Sequence, residues 1–126
     1  MPAAIGRVKF GSTGVRFQPT FTLDGVPIDL IAGGATNNTL GVTFKSGGVR
    51  RTGNGQFTIQ RSGSGPGATN VGVVSYNPTW GAGNDITDPS STPADYEAEF
   101  YVTLNSGPSA GLIITDNIHF GVDPRL

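Results

Sequence analysis

From position 96 to 104 the chain alternates strictly, with Tyr96, Ala98, Phe100, Val102 and Leu104 interleaved with Glu97, Glu99, Tyr101 and Thr103. A two-residue period sends the two sets to opposite faces of a strand, so the segment is expected to bury its first set and leave the second wet. Shorter runs repeat the pattern. Val8 and Phe10 open a strand, and Val15, Phe17, Phe21 and Leu23 alternate through Pro19, which argues for an edge strand or a bulge. Asp24-Gly25 is a two-residue hairpin signal that needs positive φ, joining that run to residues 26–30.

Further along, Leu40, Val42 and Phe44 alternate with Gly41, Thr43 and Lys45. Glycines at 47–48 and 53–55 bracket what reads as a basic loop, after which Phe57 and Ile59 carry a strand ending near Arg61. Residues 62–67 have the composition of a flexible surface loop, and 71–76, rich in β-branched residues, suits a central strand. Residues 78–93 read as a crossover between sheets, 105–108 as a turn, and Leu112 to Ile114 and then Ile118, Phe120 and Val122 as closing strands. About eight short strands, with no helical period and no internal repeat, predict an all-β fold. The expected architecture is an immunoglobulin-like two-sheet antiparallel sandwich forming one domain over 1–126, with 1–7 and 124–126 as terminal extensions.

Composition supports turns over disorder. The 20 glycines and nine prolines cluster between the alternating runs, as in an all-β protein with many turns. With no cysteine there are neither disulfides nor thiolate metal sites, so the apolar core must hold the fold unaided. A chain of 126 residues is long enough for that, burying roughly two thirds of its unfolded surface. No window approaches the roughly 18 apolar residues of a membrane span, and Met1 to Arg7 lacks a signal peptide's apolar run, so a protein made in a cytoplasm and free of membranes is expected. Asn37-Asn38-Thr39 fits a glycosylation pattern but reads as a turn.

The net charge of −1 argues against nucleic acid as a partner. Its distribution is uneven: residues 1–63 hold seven basic and two acidic side chains, a charge of +5, and residues 64–126 hold one arginine against seven acids, a charge of −6. Interleaved strands would pair these charges within one copy. Alternatively, a basic patch docks on an acidic patch of another copy.

Candidate chemistry is sparse. His119, the single histidine, is expected on the solvent side of its strand, without a recognisable nucleophile turn to serve. Asn84, Asp85 and Asp88 supply oxygen ligands that calcium accepts, at a spacing that matches no calcium loop and equally suits turns. Glu97 and Glu99 lie two apart on one strand face, whereas paired catalytic carboxylates normally face each other across a cleft. Arg50 and Arg51 sit in a Gly-rich stretch, and Trp80 either stacks on a sugar or plugs one end of the sandwich. No cofactor is expected.

The order Phe21-Thr-Leu-Asp-Gly-Val-Pro-Ile-Asp-Leu30, Gly41-Val-Thr-Phe44, Gly72-Val-Val-Ser-Tyr76 and Pro93-Ala-Asp-Tyr-Glu-Ala-Glu-Phe-Tyr-Val-Thr103 resembles the N-terminal domain of the phage baseplate upper protein (BppU) family, over roughly residues 15–122. Two features depart from that pattern: Pro93-Ala-Asp95 where a glycine is usual before the tyrosine, and the Gly-rich insert at 62–69. The resemblance implies an immunoglobulin-type sandwich serving as an attachment module, here free-standing. It leads to the expectation of a non-enzymatic structural protein of a tailed-phage virion, either a capsid decoration or cement protein or a tail or baseplate adaptor. Its partners would be other virion proteins and further copies of itself. Contacts are expected from exposed strand edges and from 31–39, 47–55 and 77–93, with Arg50, Arg51, Trp80, Glu97 and Glu99 at the interface. A carbohydrate-binding module, with Trp80 as platform and Asp85 and Asp88 around calcium, is the alternative.

Overall fold

The computed structural model describes residues 3–12, 14–36, 39–60, 72–89, 91–105, 111–115 and 117–124, with side chains from Gly6 onward. The segments read from sequence at 37–38, 62–67 and 106–108 lie outside the described residues.

Ten strands form among them: β1 (Ala3–Lys9), β2 (Thr22–Leu23), β3 (Val26–Pro27), β4 (Leu40–Ser46), β5 (Val49–Thr52), β6 (Gln56–Ile59), β7 (Val74–Asn77), β8 (Ala94–Leu104), β9 (Gly111–Ile114) and β10 (Ile118–Asp123). No helix is present among the described residues, so none is long and apolar enough to cross a membrane. The main sheet runs β1-β10-β8-β4-β5. Its centre is β8, the strand whose alternation is longest: β4 covers one edge, and β10 and β9 share the other end to end.

The second layer is assembled differently. β6 pairs β7, and the far side of β7 meets the chain at Phe17 and Thr20 through single bridges to Tyr76 and Val73. The β2–β3 hairpin extends this layer, with the Ile28 amide donating to the Phe21 carbonyl at 3.1 Å. Between the layers lies one apolar core in which Phe17, Val42, Val74, Tyr76, Ala98, Phe100, Val102 and Val122 have no exposed surface. Tyr96 and Leu104 are buried as well, so the whole apolar set of β8 is core and the fold is the all-β, two-layer sandwich that the alternation predicts.

Four details differ from the sequence reading. Residues 1–7 are not an extension, because β1 starts at Ala3 and pairs with β10. That pairing is parallel, which a sandwich built only of hairpins would not contain. The ends of the chain are joined by the whole domain rather than by a tight turn, so either direction is open to them. The run through Pro19 is not a continuous strand: proline has no N–H to donate, and its carbonyl accepts from the Val74 amide at 3.1 Å. Finally, the basic segment 49–52 is not a loop but strand β5. Gly47 and Gly48, at φ 57° and 81°, form a tight turn between β4 and β5, whose twist suits paired strands. The Asp24-Gly25 turn forms as expected, with φ of 52° and 78°.

Candidate interaction face

Strand β5 decides where the two neighbouring arginines go. Arg50 pairs with Lys45 and therefore shares the outer face of the main sheet, whereas Arg51 pairs with the buried Phe44 and points to the inner side. There it borders a small recess shared with Val49, Thr87, Pro89 and Tyr96. The two cannot act as one basic anchor.

On the outer face, register brings Arg50, Lys45, Glu97 and His119 into one row across β5, β4, β8 and β10. Glu99, Thr43 and Asn117 complete a shallow recess of about 280 Å³ with Arg50, Lys45 and Glu97 of this row. Glu97 is held in place: Asn117 Nδ2 donates to it at 3.1 Å and His119 Nδ1 lies 3.8 Å away. Lys45, Arg50 and Glu99 form no ion pair among the described residues. His119 stands half-exposed on the polar face, as its place between the buried Ile118 and Phe120 requires.

Two long side chains cross glycines on this face. Arg7 lies over Gly121 to reach Asp123 at 2.9 Å and Asp95 at 3.5 Å, and the Tyr101 ring lies over Gly41; a Cβ at either glycine would collide with the crossing side chain. The basic and acidic halves of the chain are thus interleaved. One part of the charge asymmetry, around Arg7, is neutralised within the copy, and another part, around Lys45, Arg50 and Glu99, is not.

The remaining candidate residues lie elsewhere. Trp80 is half-buried, edge-on to Phe10 at 5.5 Å between ring centres, and its backbone bridges to Ile86. It closes an end of the sandwich and is no open platform. Asp85, read as a candidate calcium ligand or turn residue, is buried with only 1% of its surface exposed. Its carboxylate accepts from the Asn54 amide at 2.8 Å, the Thr79 amide at 3.2 Å and the Tyr76 hydroxyl. Three protein donors occupy the oxygens that calcium would need, and Asp88 is exposed beyond them. Among the described residues no group of three or more histidine, aspartate or glutamate side chains could hold a metal ion. Nothing in the sequence pointed to the Asp85 cluster, since its members are brought together from 54, 76, 79 and 85 only by the layer packing.

Burial first, and then the hydrogen bond to Asp85, hold the Tyr76 phenol above its ordinary value of 10.0, against the opposing donation from the Gly55 amide. A proton held more tightly in the folded than in the unfolded state gives stability that is complete below pH 10 and is lost as pH rises above it. Urea midpoints measured from about pH 8 to about pH 11 are expected to fall more steeply for the native sequence than for Tyr76→Phe, which has no phenol to ionise. Equal slopes would mean that Tyr76 is not protected.

The class defined by this architecture is an all-β sandwich that presents one charged outer sheet face. No family model, curated protein or solved structure matches this chain.

Proposed function

We propose that this chain is a non-catalytic structural protein of a tailed-phage virion, acting as a binding module for other virion proteins, as a capsid decoration or cement protein or as a tail or baseplate adaptor. The virion assignment rests on the resemblance of its strand wording to the baseplate upper protein family. The observation that carries the binding role is the outer sheet face, where Lys45, Arg50 and Glu99 stand unpaired around a recess whose floor is a rigid sheet. Exposed apolar side chains on edge strands add to it: Val49 on β5 and Leu112 and Ile114 on β9. Open edges and charged faces of this kind are what assembly proteins use for strand pairing and for choosing partners. The carbohydrate-binding reading gains nothing from the placement of Trp80 and Asp85, because Trp80 packs against Phe10 and Asp85 is taken up by protein donors.

The test is quantitative protein detection on gradient-purified particles. The chain is expected in many copies per particle, at a fixed ratio to the major capsid or tail protein. Recovery only from the particle-free fraction of a lysate defeats the proposal. Dissociated and re-bound particles then distinguish the two placements, by whether the chain returns to isolated heads or to isolated tails.

A further inference from the structure

We propose that the outer face of the main sheet is a self-complementary docking surface for a second copy of this chain, the two copies being related by a two-fold axis that runs along the strands between β4 and β8. The register carries the argument. Lys45 stands directly opposite Glu97 on the neighbouring strand, and Arg50 stands directly opposite Lys45. Although they are neighbours, Lys45 and Glu97 are not within ion-pair distance, and Lys45, Arg50 and Glu99 have no charged partner among the described residues. The face therefore carries a basic strip on β4–β5 beside an acidic strip on β8. A two-fold rotation about the line between them lays each strip over the opposite strip of the second copy. Lys45 then meets the second copy's Glu97, and the reverse contact forms by symmetry. Arg50, one strand further out, comes over β10 of the second copy at the His119 position, beside the acidic strip.

The apolar part of the face falls in a fitting place. The Tyr101 ring lies across Gly41, so it spans β8 and β4 and sits on the axis, facing its own counterpart. Leu112 and Ile114, paired with Thr103 and Tyr101, point to the same outer face and are 61% and 52% exposed. The apolar side chains occupy one end of the face, at the level of Tyr101 and Thr103, and the charges the other, at the level of Glu97 and Glu99. Exposed aromatic and aliphatic side chains are enriched at protein interfaces, while the outward face of a half-buried sheet is ordinarily polar throughout. Strands β4, β5, β8, β9 and β10, at ~3.3 Å per residue and ~4.8 Å spacing, present on the order of 500 Å² per copy, less than the roughly 800 Å² per partner of a standard interface and in keeping with a weak, salt-sensitive dimer. The part of the face that is neutralised internally, Arg7 with Asp95 and Asp123, lies to one side of this area.

The inference does not rest on the virion reading, since the purified chain tests it alone. Sedimentation of the native sequence at about 0.1 mM and low salt is expected to show a dimer that weakens as ionic strength rises. The variants Lys45→Glu/Arg50→Glu and Glu97→Lys/Glu99→Lys are each expected to lose at least tenfold in self-affinity, and an equimolar mixture of the two is expected to form a 1:1 heterodimer. Circular dichroism confirms that both are folded. Should either variant fail to fold, Leu112→Ser/Ile114→Ser provides an independent disruption on exposed positions, with the same tenfold loss expected. A monomeric native chain overturns the proposal, even if the same face then binds a different protein. A dimer that survives both reversals, or variants that do not recover on mixing, overturn it as well.

Discussion

Replacing Asp85 with alanine is expected to cost about 3–5 kcal/mol of folding stability, because it strands the Tyr76 hydroxyl and the Asn54 and Thr79 amides that the carboxylate now accepts. Hydrogen bonds to a charged acceptor are among the stronger ones in water, and Tyr76 has no exposed surface through which water could take the place of the lost oxygen. The carboxylate also ties three parts of the chain: the turn after β5, the centre of β7 and the crossover that leads to β8. Its loss therefore loosens one end of the sandwich rather than one contact. Asp85→Asn is expected to fall between alanine and the native residue, since the amide retains one acceptor oxygen and turns a donor toward an N–H or O–H. Tyr76→Phe removes both the donor to Asp85 and the acceptor of the Gly55 amide, which lies 2.7 Å from the hydroxyl. It should cost about 2 kcal/mol. Urea unfolding of the two single variants and of the double variant completes the cycle. A coupling of about 1–2 kcal/mol is expected between the positions, and strict additivity would show that the pair does not act as a unit.

Phe17→Ala is expected to be comparably severe, at about 3–5 kcal/mol. Phe17 is wholly buried, and its ring centre lies 5.0 Å from Phe120, 5.9 Å from Phe44 and 6.0 Å from Phe100, so it joins three strands of the main sheet to the second layer. The segment that carries it is not a regular strand. Its backbone is held to β7 by Phe17 and Tyr76 exchanging amide bonds at 2.9 and 2.8 Å, and by the bridge at Thr20. Without the ring these bonds have no packing to keep them shielded. Hydrogen exchange at the Tyr76 amide, which donates to the Phe17 carbonyl, is therefore expected to accelerate together with the drop in denaturation midpoint. Leu23→Ala, at a half-exposed position of the β2–β3 hairpin, is the control and should stay within about 0.5 kcal/mol. Equal costs at the two positions would refute the claim that Phe17 joins the layers.

The parts of the molecule that were legible in the sequence share a physical property: their signal is local. Alternation over 40–45, 96–104 and 118–122 is a statement about neighbours two apart, and every apolar position in those runs is buried. The turn at Asp24-Gly25 is likewise local, because positive φ selects those residues before anything packs on them. Basic β5 was misread for an instructive reason. Val49-Arg-Arg-Thr52 is an edge strand with all four residues exposed, so burial imposes no two-residue pattern on it. The N-terminal strand was started too late, at Val8 instead of Ala3, in the same way, since a Gly-containing segment paired at one edge has little apolar alternation to display.

What the sequence determined by itself was the fold class, the central strand with its buried and wet faces, and the absence of any thiol chemistry. Each follows from residue type and short-range period. The tertiary structure alone decided that Arg50 and Arg51 point to opposite sides, that Asp85 is an internal tie, and that Lys45, Arg50, Glu97 and Glu99 form one face. The first follows once 49–52 pairs as a strand, while the others depend on contacts and register between segments far apart in the chain, where a shift of one residue would send each strand side chain to the other face.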